Sequence, residues 1–143
     1  WPKHAHETEI RGGLSRLPAQ VYADADPADY LFDMNGRAAL RSMIKVLPQF
    51  FADFFEQTGL TAGDFDLVIP HQASPALKLA MAKIGIPEGK YIDWVQDIGN
   101  MVSSSVGYVL VKCLETGRVK EGDTIVLCGT AAGLTANALA LRL

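Results

Sequence analysis

Three short apolar runs, at 65–69, 91–95 and 124–128, are separated from one another by segments whose apolar residues recur every three or four positions. That alternation limits the chain more than any other feature. Strands divided by helices must pair in parallel through right-handed crossovers. The helical segments are well marked. Leu40, Met43, Ile44, Leu47, Phe51, Phe54 and Phe55 form one face of a helix from Gly36 to about Gly59, with Pro48 inside it as an expected bend. Ser74 and Pro75 open a second helix, with Leu77, Ala80, Met81 and Ile84 on its apolar face. Ser103 to Ser105 open a third, whose expected inner face is Val106, Leu110, Cys113 and Leu114. The run "LTANALALRL" reads as a final strand. A short loop, "GTAAG", joins it to its predecessor, so that pair is expected to be antiparallel. The predicted order is loop–α–β–α–β–α–β–β, a mostly parallel α/β sheet with an antiparallel last strand.

Residues 1–34 are rich in Gly, Pro and Asp and read as a loop-rich leader to a single domain over 35–143. At 143 residues the chain can bury one real core. A net charge of −3 and the lack of a basic stripe argue against nucleic acid. No apolar run is long enough to span a bilayer. The two cysteines, Cys113 and Cys128, form no CxxC pattern and support neither a disulfide framework nor a metal site. A cytoplasmic setting is the expectation. The chain opens on Trp1, without an initiator Met or a signal-like stretch, and reads as a piece of a longer protein.

In an open α/β sheet, ligands bind beyond the carboxyl ends of the strands. Three loops leave those ends here. They carry His71, the pair Gly99-Asn100, and the small residues Gly129 to Gly133. These loops share hydrogen-bond donation: an imidazole N–H, a carboxamide and bare backbone amides. Such donors suit an enolate or a tetrahedral oxyanion, where one is worth roughly 2.7–4 kcal/mol of barrier. Apart from Asp97 these loops hold no carboxylate, which argues against paired-carboxylate glycosidase chemistry. "GTAAG" lacks the Lys-Ser/Thr of a phosphate loop. Each signal has a plainer alternative. A lone His at a strand end can be structural, "GN" is a common turn pair, and "GTAAG" can simply permit close packing. Cys113 reads as core. Cys128, at a strand end, is open to a reading as a nucleophile with His71 as its base.

Taken together, "DLVIPHQAS" and "DIGNMVSSSVGYVLVKCLETGRVKEGDTIVLCGTAAGLTANALALRL" resemble the C-terminal half of the β-ketoacyl-acyl-carrier-protein synthase III family, of the thiolase-like superfamily. "LFDMNGRAALRSMIKVLPQFF" and "GGLSRLP" resemble its preceding segments. The resemblance implies one half of a thiolase-like αβαβα sandwich. It implies a decarboxylating Claisen condensation of an acyl thioester with malonyl-acyl-carrier protein, run by a Cys-His-Asn triad. His71 and Asn100 match the His and Asn; the Cys belongs to an N-terminal half. The backbone of Ala132 matches an oxyanion donor. Gly36, Arg37, Leu40 and Ser74 match positions that line the pantetheine tunnel. Acyl-coenzyme A and acyl-carrier-protein thioesters are the implied substrates, with no cofactor and no metal. The implied partners are the missing N-terminal half and, for a chain with an uncovered face, a second copy in a homodimer. Departures from the family pattern are Thr130-Ala131-Ala132-Gly133 for Phe-Gly-Gly-Gly, Ser74 for Asn and Leu40 for Phe. A backbone donor at Ala132 requires a negative φ there. A non-catalytic module that binds acyl-carrier protein or a partner subunit is the competing expectation.

Overall fold

The 3.6-residue apolar period of the central segment does produce one long helix, α1 (Gly36–Thr58), in the computed structural model, which describes residues 1–143. Asn35 starts it by accepting the Ala38 N–H on Oδ1 at 3.0 Å. The helix continues through Pro48 without interruption. Its apolar face carries an aromatic chain: Phe51 contacts Phe54 and Phe55, and Phe55 stacks on Phe65 at 6.1 Å between ring centroids.

After α1 come strand β3 (Leu67–Pro70), helix α2 (Leu77–Lys83), the short helix α3 (Val95–Ile98), helix α4 (Ser104–Glu115) and strands β4 (Thr124–Ala131) and β5 (Thr135–Arg142). Two-residue strands β1 (Thr8–Glu9) and β2 (Asp33–Met34) pair antiparallel in the N-terminal segment. That segment also holds 3₁₀ turns at Pro2–Glu7, Ala19–Asp24 and Pro27–Tyr30. Its ties are polar: Arg11 bridges Asp29 and Asp33, and Ser42 donates to Glu7, which also engages His4. The chain divides into two compact units, 1–43 with 131–135 and 44–130 with 136–143. No helix is long and apolar enough to cross a membrane.

The main sheet has the order β3-β4-β5. β3 and β4 are parallel, with Leu67 opposite Ile125 and Pro70 opposite Cys128. β4 and β5 are joined by a tight turn. Hydrogen bonds from Gly122 N–H to Leu143 O and from Leu143 N–H to Asp123 O close the far end of that antiparallel hairpin. β4 therefore runs further than expected, into the small-residue segment, and only 132–134 turn. Leu67, Ile69 and Ile125 pack with Val109 and Cys113 of α4 on one face. Val68 and Val126, on the other face by alternation, are equally buried. Burial on both faces is what a parallel pair needs.

The structure also corrects the expected face of α4 and the expected strand at 91–95. The inner face of α4 is Ser105, Val109 and Cys113, with Val106 and Leu110 beside it; Leu114 is 47% exposed. The run 91–95 is not a full strand. Tyr91 makes a single parallel bridge to Val68 through Val68 N–H to Lys90 O and Ile92 N–H to Val68 O, and helix α3 begins at Val95.

Pro70 explains where this ladder stops. A parallel ladder would next bond residue 70 N–H to Ile92 O, and Pro70 has no N–H. The buried side chain of Gln72 takes over. Its Nε2 donates to Ile92 O at 3.1 Å and to Pro70 O at 2.8 Å, and its Oε1 accepts the Trp94 N–H at 2.7 Å. Both amide protons and the carbonyl are thus used. Gln72→Ala is expected to lower unfolding free energy by about 2–4 kcal/mol, because it strands three backbone groups. Urea denaturation of the variant measures this.

Candidate active site

Just past the carboxyl end of β3, His71 lies against Gly129 of β4. His71 N–H donates to Cys128 O at 2.8 Å, continuing the ladder one residue past β3. A Cβ on Gly129 would come within 3.3 Å of the His71 Cβ. Glycine there lets the imidazole stand close against the neighbouring strand. The ring is half-buried, and its Nδ1 lies 2.5 Å from Ser105 Oγ. Ser105 is fully buried at the start of α4. Its Oγ also receives the Gln72 N–H at 3.4 Å and lies 3.2 Å from Val102 O. Burial holds the His71 pKa below its usual 6.5, so the ring is neutral at pH 7.

Asn100 reaches the same place from the turn after α3. Gly99 has φ 66 and ψ −170, a conformation that suits glycine. Asn100 Oδ1 accepts the Val102 N–H at 2.9 Å, an Asx turn that fixes which end of the carboxamide is which. Its Nδ2 donates to Ala73 O at 3.3 Å, in the loop that carries His71. Val102, at φ 53, adopts a left-handed conformation uncommon for a β-branched residue. His71 and Asn100 therefore share one hydrogen-bonded network, through Ala73 on one side and Val102 and Ser105 on the other.

Ser74 lies in the same loop and accepts the Ala76 N–H on Oγ at 3.3 Å, leading into α2. The expected Ser74-Pro75 helix start is thus a turn, and α2 itself begins at Leu77. Gly36, Arg37 and Leu40 belong to the other compact unit, on the first turns of α1; Leu40 is half-buried and the other two are exposed. Ala132 also belongs to that unit, in the β4–β5 turn. The residues with left-handed φ other than glycine are Val102 and Leu134, so Ala132 meets the condition set for a backbone donor. Sequence reasoning missed Ser105 as a partner of His71, and Gln72 as the group that anchors both loops. The polar side chain of Ser105 on an apolar helix face was the available signal.

Cys128 is buried, and burial pushes its thiol up to about 12. A thiol so hard to ionise is a poor nucleophile, which removes the reading of Cys128 as the reacting group. Burial also raises the Cys113 thiol. No group of three or more His, Cys, Asp or Glu side chains is placed to hold a metal ion.

A family model described as 3-oxoacyl-[acyl-carrier-protein (ACP)] synthase III C terminal matches residues 55–143. The chain belongs to this family. A β-ketoacyl-[acyl-carrier-protein] synthase III from Symbiobacterium thermophilum is 36% identical over 140 residues, 97% of this chain and 42% of that protein. One from Listeria welshimeri is 36% identical over 110 residues, 76% of this chain and 35% of that protein. The crystal structure of the synthase III from Thermus thermophilus matches with a TM-score of 0.82 at 28% identity, covering all of this chain and 43% of that one. The chain thus spans less than half the length of these family members.

Two measurements check the electrostatics. NMR titration of His71 is expected to give a midpoint below 6.5. The unfolded chain then takes up a proton at a higher pH than the folded one. Stability is therefore full above the unfolded midpoint, and falls as pH drops through 6.5 toward the folded midpoint. Iodoacetamide at neutral pH is expected to leave Cys128 and Cys113 unlabelled until the protein is unfolded; fast labelling of native Cys128 would restore it as a nucleophile.

Proposed function

We propose that this chain is the C-terminal catalytic half of a 3-oxoacyl-acyl-carrier-protein synthase III-like condensing acyltransferase. The observation that carries the reading is the convergence of His71 and Asn100 on one network at the rim of a parallel sheet. In the reaction, a malonyl thioester loses its carboxylate as CO₂. The electron pair of the breaking C–C bond moves into the bond next to the thioester carbonyl, leaving an enolate. His71 Nε2–H and the Asn100 Nδ2 amide donate to the enolate oxygen as charge builds there. The enolate carbon then attacks an acyl thioester, and the acyl-bearing sulfur leaves as thiolate. A neutral His71 suits this role, since it offers a donor without surrendering a full proton.

The acyl-bearing Cys is assigned to an N-terminal half, for which Cys128 is no substitute. The outward face of α4 supports such a partner: Tyr108, Val111 and Leu114 are apolar and 41–50% exposed. Covering them with the other half gives α4 a packed layer on each side. The Ala132 amide is assigned to the acyl oxygen. Gly36, Arg37, Leu40 and Ser74 are assigned to the thioester's pantetheine arm, with acyl-coenzyme A and malonyl-acyl-carrier protein as the carriers.

The test uses the full-length protein that contains this chain. His71→Ala and Asn100→Ala are each expected to cut malonyl-thioester decarboxylation and condensation by about 10²–10³-fold, the scale of one lost oxyanion donor. A wild-type rate in either variant overturns the role of that residue. Wild-type rates in both favour a non-catalytic binding module.

A further inference from the structure

We infer that Ser105 is a positioning residue that holds His71 in its Nε2–H form by donating its hydroxyl proton to Nδ1. The inference rests on the condensing role proposed for His71, and it concerns a side chain outside the triad.

The argument is a count of protons at one oxygen. Ser105 Oγ carries a single proton and has three polar neighbours. The Gln72 N–H, at 3.4 Å, can only donate to it. The Val102 carbonyl, at 3.2 Å, can only accept from it. His71 Nδ1, at 2.5 Å, can do either, depending on its tautomer. If the hydroxyl proton points at Val102 O, then Nδ1–H and the Gln72 N–H both crowd onto Oγ. The shortest contact of the set is then made by a neutral ring donor, and Nε2 is left as an acceptor. If the proton points at Nδ1, the closest pair becomes an O–H···N bond to the most basic acceptor present, and the Gln72 N–H fills a lone pair of Oγ. The second arrangement uses the 2.5 Å contact best, so it sets the ring.

Burial makes the choice firm. Ser105 has no exposed surface, so bulk water does not compete for its hydroxyl. Oγ rides on the first turn of α4, and Val109 and Cys113, one and two turns on, are also fully buried. The hydroxyl is therefore as rigid as the core. Its effect on the opposite ring nitrogen is chemical as well as steric. With Nδ1 occupied as an acceptor, Nε2 must carry the hydrogen that a developing enolate needs. With the other tautomer, Nε2 presents a lone pair to a negative oxygen and repels it.

The test is a ¹⁵N spectrum of the ring together with kinetics, both on the full-length protein at a pH where His71 is neutral. In the wild type, His71 is expected to show a protonated Nε2 and an unprotonated Nδ1. In Ser105→Ala it is expected to show a mixture of tautomers. There kcat should fall about 10- to 100-fold, the scale on which losing a partner that orients an imidazole acts, while KM for the malonyl thioester changes little. Ser105→Thr, which keeps the hydroxyl, should recover most of the loss. A wild-type ring protonated on Nδ1 overturns the inference, as does an unchanged ring and rate in Ser105→Ala. Because the spectrum reads the tautomer without reference to activity, a wild-type rate in His71→Ala would sink the proposed chemistry and leave the assignment of the hydrogen bond standing.

Discussion

A single buried carboxamide takes the place of a missing stretch of sheet. Pro70 cannot donate, so the ladder between β3 and the segment after Tyr91 has to end there. Gln72 meets the three backbone groups left over and ties the end of β3 to residues 92–94. His71 sits between Pro70 and Gln72. The backbone on either side of the imidazole is thereby held, and the segment leading to α3 and Asn100 is pinned to the same point. The side chain of one residue thus ties the loop that carries His71 to the segment that leads to Asn100.

The second support is the register of β3 against β4. No hairpin sets it, since the strands are parallel and far apart in sequence. Alternation sets it: Leu67, Ile69 and Ile125 face α4, while Val68 and Val126 face the other way, and a one-residue slip would exchange the two sets. The same register brings Gly129 against His71. Core packing and site geometry are in this sense one constraint, because the residues that fix the pairing also decide what stands beside the ring.

Much of this was legible in the sequence, and the gaps have physical causes. The period of α1 and the buried runs at 65–69 and 124–128 are local signals, and they became the expected elements. The turn at Gly99-Asn100 and the strand-end His71 also lie where pattern placed them. The run 91–95 looked like a strand because Tyr91, Ile92 and Val95 are apolar; its ladder fails because of a proline in the neighbouring strand, a non-local fact. The phase of α4 was misread because that helix is apolar nearly all round. Tyr108, Val111 and Leu114 compete with Val109 and Cys113, and periodicity does not say which side meets the sheet. Ser105 escaped notice because a serine near a helix start usually serves as a cap, whereas here its hydroxyl turns inward to an imidazole.

That inward turn makes α4 more than a wall of the core. One end of the helix mounts the hydroxyl that touches the ring, and its outer flank is a row of exposed greasy side chains. Whatever seats itself on that flank sits one rigid body away from the imidazole. A poorly seated neighbour would then register as a fault in proton placement at a distance, although every reacting group remained intact.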